Sequence, residues 1–204
     1  MKIDKFISVG ENIHCTRIYK VGGLYCKEVG EGQYAIKYKT GNGASELPVP
    51  DEFLGRADWA NGKVKHCAVA IWQGVRGDEA GKAAGRDYLC SMARAQEANG
   101  ASYLDINVDE FSTDIQERVD LMRWTVGVVQ PAVSIPMSID SSNIDILRAG
   151  LEACDPERGR PMVNSVSLER VDAIELAREF NAVVIASAAG EKDLPSTTEE
   201  RLAN

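Results

Sequence analysis

The stretch PMSIDSSNIDILRAGLEAC, from Pro136 to Cys154, decides the predicted fold. Its first five residues have the pattern of a short buried strand that ends on the carboxylate Asp140. The residues from Asn143 onward repeat apolar side chains at helical spacing. A strand that leads directly into a helix is one unit of a parallel α/β sheet. Asp140 is therefore unexpected, because a carboxylate at the end of a buried strand is stable only when it is hydrogen-bonded.

The same alternation of helix and strand extends in both directions from this stretch. Four helices are predicted, in DEAGKAAGRDYLCSMARAQEANG, TDIQERVDLMRWTVGVVQ, SNIDILRAGLEAC and LERVDAIELAREFN, and a fifth begins in STTEERLA. Five strands are predicted, in KFISVGENIH, YLDINV, PMSID, PMVNSVS and AVVIASA. No strand is followed by a glycine-rich G-x-G-x-x-G turn, which argues against a dinucleotide-binding fold.

Residues 15–77 interrupt the alternation after the first strand. The stretch GQYAIKYKTGNGASELPVPDE alternates like strands and then becomes rich in glycine and proline, and KVKHCAVAIWQGV is predicted as another strand. We interpret residues 15–77 as a β-rich insertion on the rim where the strands end. A lid, an interaction surface and an oligomer contact all remain open for it.

Composition limits the classes of partner and the compartment. The net charge of -8 argues against nucleic acid and anionic membrane surfaces, and the first residues are too polar for a signal peptide, so a cytoplasmic protein is expected. Five cysteines without a C-x-x-C pair predict free thiols. His14-Cys15 and His66-Cys67 supply the ligand types of a zinc site, but neighbouring residues on strands point to opposite faces, so no metal is expected.

Polar side chains end three successive predicted strands. Asp105 and Asn107 end one strand, Asp140 ends the next, and Asn164 interrupts the apolar run of the third. The carboxyl ends of parallel strands meet at one edge, so these side chains predict a ligand site there. Capping of the following helix is the alternative for Asp140. Glu11, at the end of the first strand, either lines the same pocket or forms a salt bridge within the barrel.

The chemistry of these side chains suggests a class of ligand. A carboxylate accepts from two N–H groups, whereas an asparagine side chain both donates and accepts. Together they suit a flat heterocycle that carries an amidine edge and a ring carbonyl, and a pterin is such a ligand.

Five motifs in chain order resemble one family. VGENIH, GASYLDINVDE, SIDSSNIDILRAGLEAC, RPMVNSVSLE and ASAAGEKDLPSTTEERLA are similar to motifs of the pterin-binding (β/α)8 barrels, and within them of the methyltetrahydrofolate:corrinoid methyltransferases. The resemblance implies a TIM-type barrel of which residues 1–204 carry the first five strands. It also implies that Asp140 and Asn164 bind the pterin ring, with Asp105 and Asn107 on the same floor. The motifs NVTPDSF and D(I/V)GGEST, typical of dihydropteroate synthases, are absent.

The same resemblance implies a reaction and its partners. It is the transfer of the N5 methyl group of methyltetrahydrofolate to or from a cobalamin (corrinoid) cofactor on a separate protein. Because strands six to eight of the barrel are not found in the sequence, we expect a homo-oligomer or a complementing C-terminal half. Two alternatives remain open, a non-catalytic pterin-binding or assembly subunit and a dihydropteroate synthase-like enzyme.

Overall fold

The computed structural model describes residues 6–41, 43–190 and 194–203. The strands in the described residues are β1 (Val9–His14), β2 (Ile18–Lys20), β3 (Cys26–Gly30), β4 (Gln33–Thr40), β5 (Gly43–Pro48), β6 (Lys63–Lys65), β7 (Tyr103–Asn107), β8 (Met137–Asp140), β9 (Met162–Val166) and β10 (Val183–Ala186). The α-helices are α1 (Asp51–Leu54), α2 (Ala57–Ala60), α3 (His66–Arg76), α4 (Glu79–Ala98), α5 (Ile115–Val129), α6 (Ile144–Ala153), α7 (Asp172–Glu179) and α8 (Thr198–Ala203).

A parallel five-stranded sheet forms the centre of the structure. Its strand order is β1-β7-β8-β9-β10, and every neighbouring pair is parallel. Helices α5, α6 and α7 connect successive strands from β7 to β10 and pack on the sheet. The expected five strands of a partial (β/α)8 barrel are therefore confirmed.

Side chains cap the ends of two helices. Asp78 caps α4 by accepting a hydrogen bond from the Gly81 amide, and the helix ends at Asn99 and Gly100, where Gly100 has φ 88°. At α8, the Thr197 hydroxyl accepts from the Glu200 amide while the Glu200 carboxylate accepts from the Thr197 amide. This reciprocal pair is a capping box.

The described residues between 15 and 77 form two small antiparallel sheets and three helices. One sheet pairs β2 with β6, and the other contains β3, β4 and β5. Buried side chains of this segment, among them Ile36, Leu47 and Phe53, belong to the same apolar core as Leu104 and Ile139 of the central sheet. The insertion is thus packed onto the barrel portion through a shared core.

The prediction of a strand throughout KVKHCAVAIWQGV is wrong. Only Lys63–Lys65 is a strand, and α3 begins at His66. Residues 67–71 are all buried, so this helix has no polar face over that span and its sequence reads as a continuous apolar run. Such a run fits a buried strand and a buried helix equally well.

Close packing of α3 against α4 fixes the start of the barrel. A Cβ atom on Gly85 would lie 2.4 Å from the Ala70 carbonyl oxygen and 2.6 Å from the Gly74 nitrogen. Only glycine permits this approach of the two backbones.

In the described part of the chain, no helix combines the length and the apolar character needed to cross a membrane.

Candidate functional site

The central sheet has one apolar face and one polar face. Leu104 and Ile106 of β7, Ile139 of β8 and Val163 of β9 are fully buried on the face covered by helices. Side chains alternate along a strand, so the intervening residues point to the opposite face. Polar residues on neighbouring strands lie opposite each other in the register of the sheet, and they share this opposite face. The pairs are Asp105 with Ser138, Asp140 with Asn164, and His14 with Asn107.

Asp105 lies at the bottom of the polar face with no exposed surface. Its Oδ1 accepts a hydrogen bond of 2.6 Å from the Ser138 hydroxyl and one of 3.2 Å from the Asn164 amide nitrogen. Its Oδ2 is buried and has no hydrogen-bond partner among the described residues. A buried acceptor without a donor is destabilising, so this oxygen is suited to a ligand N–H group.

Burial raises the pKa of the Asp105 carboxyl from 3.8 to about 6, against the effect of the Ser138 hydrogen bond, and the charge of nearby Asp140 raises it further. Water stabilises the carboxylate form better than the buried site does. A ligand that donates to Oδ2 would supply the missing stabilisation of the anion.

Asp140 ends β8 and is held from two sides. The His14 ring nitrogen Nε2 lies 3.1 Å from Asp140 Oδ2, and the Asn107 amide nitrogen donates to the same oxygen at 3.0 Å. The following helix α6 is capped by Asn143, whose side chain accepts from the amides of Asp145 and Ile146. Asp140 is therefore not the cap of α6, and its carboxylate is directed into the polar face.

His14 was missed as a pocket residue by sequence reasoning. The sequence presented it only as half of a histidine-cysteine pair, and its partner Asp140 is 126 positions away. The available signal was its position at the end of β1, which is equivalent to the position of Asn107 at the end of β7. Residues at such strand ends share the mouth of a parallel α/β sheet.

The histidine-cysteine pairs do not form one zinc site. Cys15 and Cys67 are buried free thiols, and burial raises the pKa of both. Buried His66 lies 2.9 Å from the Tyr88 hydroxyl and stacks on Tyr19. Within the described residues, the one cluster of possible metal ligands is His14, Asp105 and Asp140, whose ligand atoms lie within 4.8 Å of one another.

Glu11 lies at the rim and is half exposed. It falls where the pairing of β1 with β7 is irregular, between Gly10 and Ile13. Its carboxylate is paired with the Arg17 guanidinium, the first charged group of the insertion. The structure therefore places Glu11 in a salt bridge with the insertion, whose partner residue lies outside the barrel strands.

Acidic residues after β7 form hydrogen bonds and an ion pair with neighbouring segments at the rim of the pocket. Asp109 accepts hydrogen bonds from the Ser141 hydroxyl at 2.6 Å and from the Ser142 amide at 2.8 Å. Glu110 forms an ion pair of 2.9 Å with Lys65, at the end of the insertion's strand β6. These contacts tie the loop after β8 and the insertion to the end of β7.

A comparison with protein families fits this arrangement. Residues 79–203 match the family model described as pterin binding enzyme. The chain belongs to the pterin-binding enzyme family. The match covers more than half of the chain and includes the strand ends at Asp105, Asn107, Asp140 and Asn164. His14, Glu11 and the insertion precede the matched residues.

Membership supports a small-molecule pterin as the ligand. The family includes dihydropteroate synthases and methyltetrahydrofolate methyltransferases, so the coarse function is that of a pterin-binding enzyme domain. A pterin carries a 2-amino group and a ring N–H side by side. The buried Asp105 Oδ2 and the strand-end carboxylate of Asp140 offer acceptors of the required kind.

Proposed function

We propose that this chain binds the pterin ring of a methylated tetrahydrofolate on the polar face of the central sheet. The observation that carries the proposal is the buried, unpartnered Oδ2 of Asp105 within a cluster that matches the pterin-binding family. Asp140 and Asn164 are the proposed principal ring ligands, with Asp105 and Asn107 on the floor and Glu11 at the rim. Asn164 contributes an amide that can both donate and accept.

The proposed reaction is methyl transfer between the N5 atom of tetrahydrofolate and cobalamin on a corrinoid protein. In the acceptor-directed reaction the N5–methyl bond breaks, the methyl group moves to the corrinoid, and N5 receives a proton. A tertiary amine is a poor leaving group, so a proton or a strong hydrogen bond at N5 is required. The role of this chain in that step is to bind and orient the ring.

Sequence features favour methyl transfer over dihydropteroate synthesis. The first strand reads GENIH and the second reads DINVDE, in place of the NVTPDSF and D(I/V)GGEST motifs of the synthases. The ring-binding residues would serve either reaction. The two activities differ in the second substrate, which is a corrinoid protein in one case and an aromatic amine in the other.

The open sheet supports a proposed partner for the barrel. Among the described strands, β1 and β10 are the two edges of the sheet, and Val184 on β10 is 44% exposed. A closed barrel has no free edge. We propose that a second copy of the chain, or a complementing C-terminal half, pairs along β10.

Calorimetric titration with 5-methyltetrahydrofolate tests the ligand assignment. The wild type is expected to bind saturably, and Asn164→Ala is expected to weaken binding by about 1–3 kcal/mol, the cost of leaving a buried partner unpaired. Asp140→Asn replaces an acceptor oxygen with an N–H donor and should weaken binding at least as much. Asp120→Asn, an exposed substitution on α5, is the matched control.

Competition by two pteridines tests which edge of the ring is recognised. Pterin carries an amino group at position 2, whereas lumazine carries a carbonyl oxygen there. A carboxylate should bind the first and repel the second. Equal competition by both compounds, or no heat from the folded wild type, would contradict the assigned pocket. Binding without methyl transfer to any corrinoid acceptor would favour a non-catalytic pterin-binding subunit.

A further inference from the structure

His14 lines the pocket although it lies outside the residues that match the family. Its side chain is 14% exposed, and its Nε2 atom lies 3.1 Å from Asp140 Oδ2. Both ring nitrogens have a polar neighbour, because Nδ1 lies 3.2 Å from the Thr16 amide nitrogen and 2.7 Å from the Thr16 hydroxyl. The contacts at Nδ1 indicate which ring nitrogen carries the proton in the neutral imidazole.

Thr16 fixes the tautomer of His14. A backbone N–H group can only donate, so the contact from the Thr16 amide requires Nδ1 to be an acceptor without a proton. In the neutral imidazole the proton is then on Nε2, which faces Asp140. His14 is therefore a hydrogen-bond donor to the carboxylate.

The same contact argues against a metal ion at His14, Asp105 and Asp140. Their ligand atoms lie close enough for a divalent cation, within 4.8 Å of one another. Coordination through Nε2, however, would move the remaining ring proton to Nδ1. That proton could donate to the Thr16 hydroxyl, but the Thr16 amide N–H would then lose its acceptor and face a second N–H group.

Two donors on one oxygen of Asp140 leave the other oxygen for a ligand. His14 and Asn107 both donate to Oδ2, while Oδ1 receives no hydrogen bond from the described residues. We propose that His14 is a positioning residue for the pterin: it holds Asp140 so that Oδ1 faces the N–H donors of the ring. This inference rests on the proposed pterin function.

Substitutions at position 14 test this role in the full chain. His14→Leu removes the donor, and we expect about a tenfold weaker affinity for 5-methyltetrahydrofolate. His14→Gln restores an N–H donor at a similar distance from the backbone, and its affinity should stay within about threefold of wild type. In an Asp140→Asn background, His14→Leu should add little, because its partner is already changed. Lys39→Gln, an exposed change in the insertion, is the control.

Tautomer analysis by NMR provides a readout that a purely structural role would not change. The chain has two histidines, so long-range proton–nitrogen correlations of His14 and His66 can be separated with His14→Gln. We expect a protonated Nε2 and an unprotonated Nδ1 at His14 in the free protein. A protonated Nδ1, or stoichiometric Zn²⁺ binding that His14→Leu abolishes, would overturn the inference in favour of a metal site.

The outcomes separate this inference from the function on which it rests. Wild-type affinity in His14→Leu, together with weakened binding in Asp140→Asn, would overturn the role of His14 and leave the pterin site intact. If the wild type binds no pterin, the proposed function fails, and the role of His14 toward a pterin fails with it. The tautomer would still report whether His14 donates to Asp140.

Discussion

Replacing Asp105 with asparagine is expected to change the free energy of unfolding and the affinity for a pterin in opposite directions. Burial raises the pKa of this carboxyl from 3.8 to about 6 in the folded protein. Each pKa unit corresponds to about 1.4 kcal/mol, so the ionised side chain costs the native state about 3 kcal/mol relative to the unfolded chain. Asparagine carries no charge and keeps an oxygen that can accept from Ser138 and Asn164.

The cost of Asp105 depends on pH in a defined direction. The folded protein holds the Asp105 proton more tightly than the unfolded chain does, so folding takes up a proton between pH 3.8 and about 6. The contribution of Asp105 to stability therefore falls as pH rises through this range, and the full cost is present above about pH 6. Asp105→Asn should remove that dependence.

Urea unfolding of wild type and Asp105→Asn from pH 4 to 8 measures the effect. We expect the variant to gain up to about 3 kcal/mol relative to wild type at pH 7.5, a midpoint shift of about 1.5 M for a slope of about 2 kcal/mol/M. At pH 4 the gain should be much smaller. Other carboxylates titrate in both proteins, so the difference between them isolates Asp105.

A pH-independent difference, or a variant less stable than wild type at pH 7.5, would refute the reasoning. Asp120→Asn, on an exposed side chain of α5, should change stability by no more than about 0.5 kcal/mol at any pH. The stabilised Asp105→Asn should also bind pterin less tightly, because an acceptor oxygen in the pocket is replaced by a donor. A gain in stability with a loss of affinity would show that the Asp105 carboxylate destabilises the free protein and contributes to ligand binding.

Two further predictions concern the frame around the pocket. Gly85→Ala should destabilise the protein by about 1–3 kcal/mol in urea unfolding, because its Cβ meets backbone atoms of α3 at 2.4 and 2.6 Å. Gly127→Ala in α5 is the matched control, since no heavy atom lies within 4 Å of the Cβ that it adds. It should stabilise the protein by roughly 0.5–1 kcal/mol. Equal changes in stability for the two variants would contradict the close contact between α3 and α4. Val184→Lys at the β10 edge should lower the molecular mass in sedimentation if copies pair there, and Val75→Lys on α3 should not. A monomeric wild type would contradict pairing of identical chains.

The sequence by itself determined the repeating units of this protein and the chemistry of their ends. Alternation of short apolar runs with amphipathic helices predicts a parallel sheet, because helical spacing identifies the helices and short apolar runs between helices are typical of buried parallel strands. It also placed Asp105, Asn107, Asp140 and Asn164 at one edge, since strand ends share an edge in any parallel arrangement. Helix α3 was not predicted because residues 67–71 are all buried, so this part of the helix has no polar face.

Only the tertiary structure decided how those ends interact. Pairing of β1 with β7 brings His14 beside Asn107 and within 3.1 Å of Asp140, although residues 15–77 and α4 lie between the two strands in the chain. The surroundings of the unpartnered Oδ2 of Asp105 likewise depend on contacts between distant segments, whereas Asn143 caps α6 through local contacts with Asp145 and Ile146. Local sequence patterns report periodicity, whereas hydrogen bonding in the pocket depends on strand register and burial, which arise when the whole core assembles.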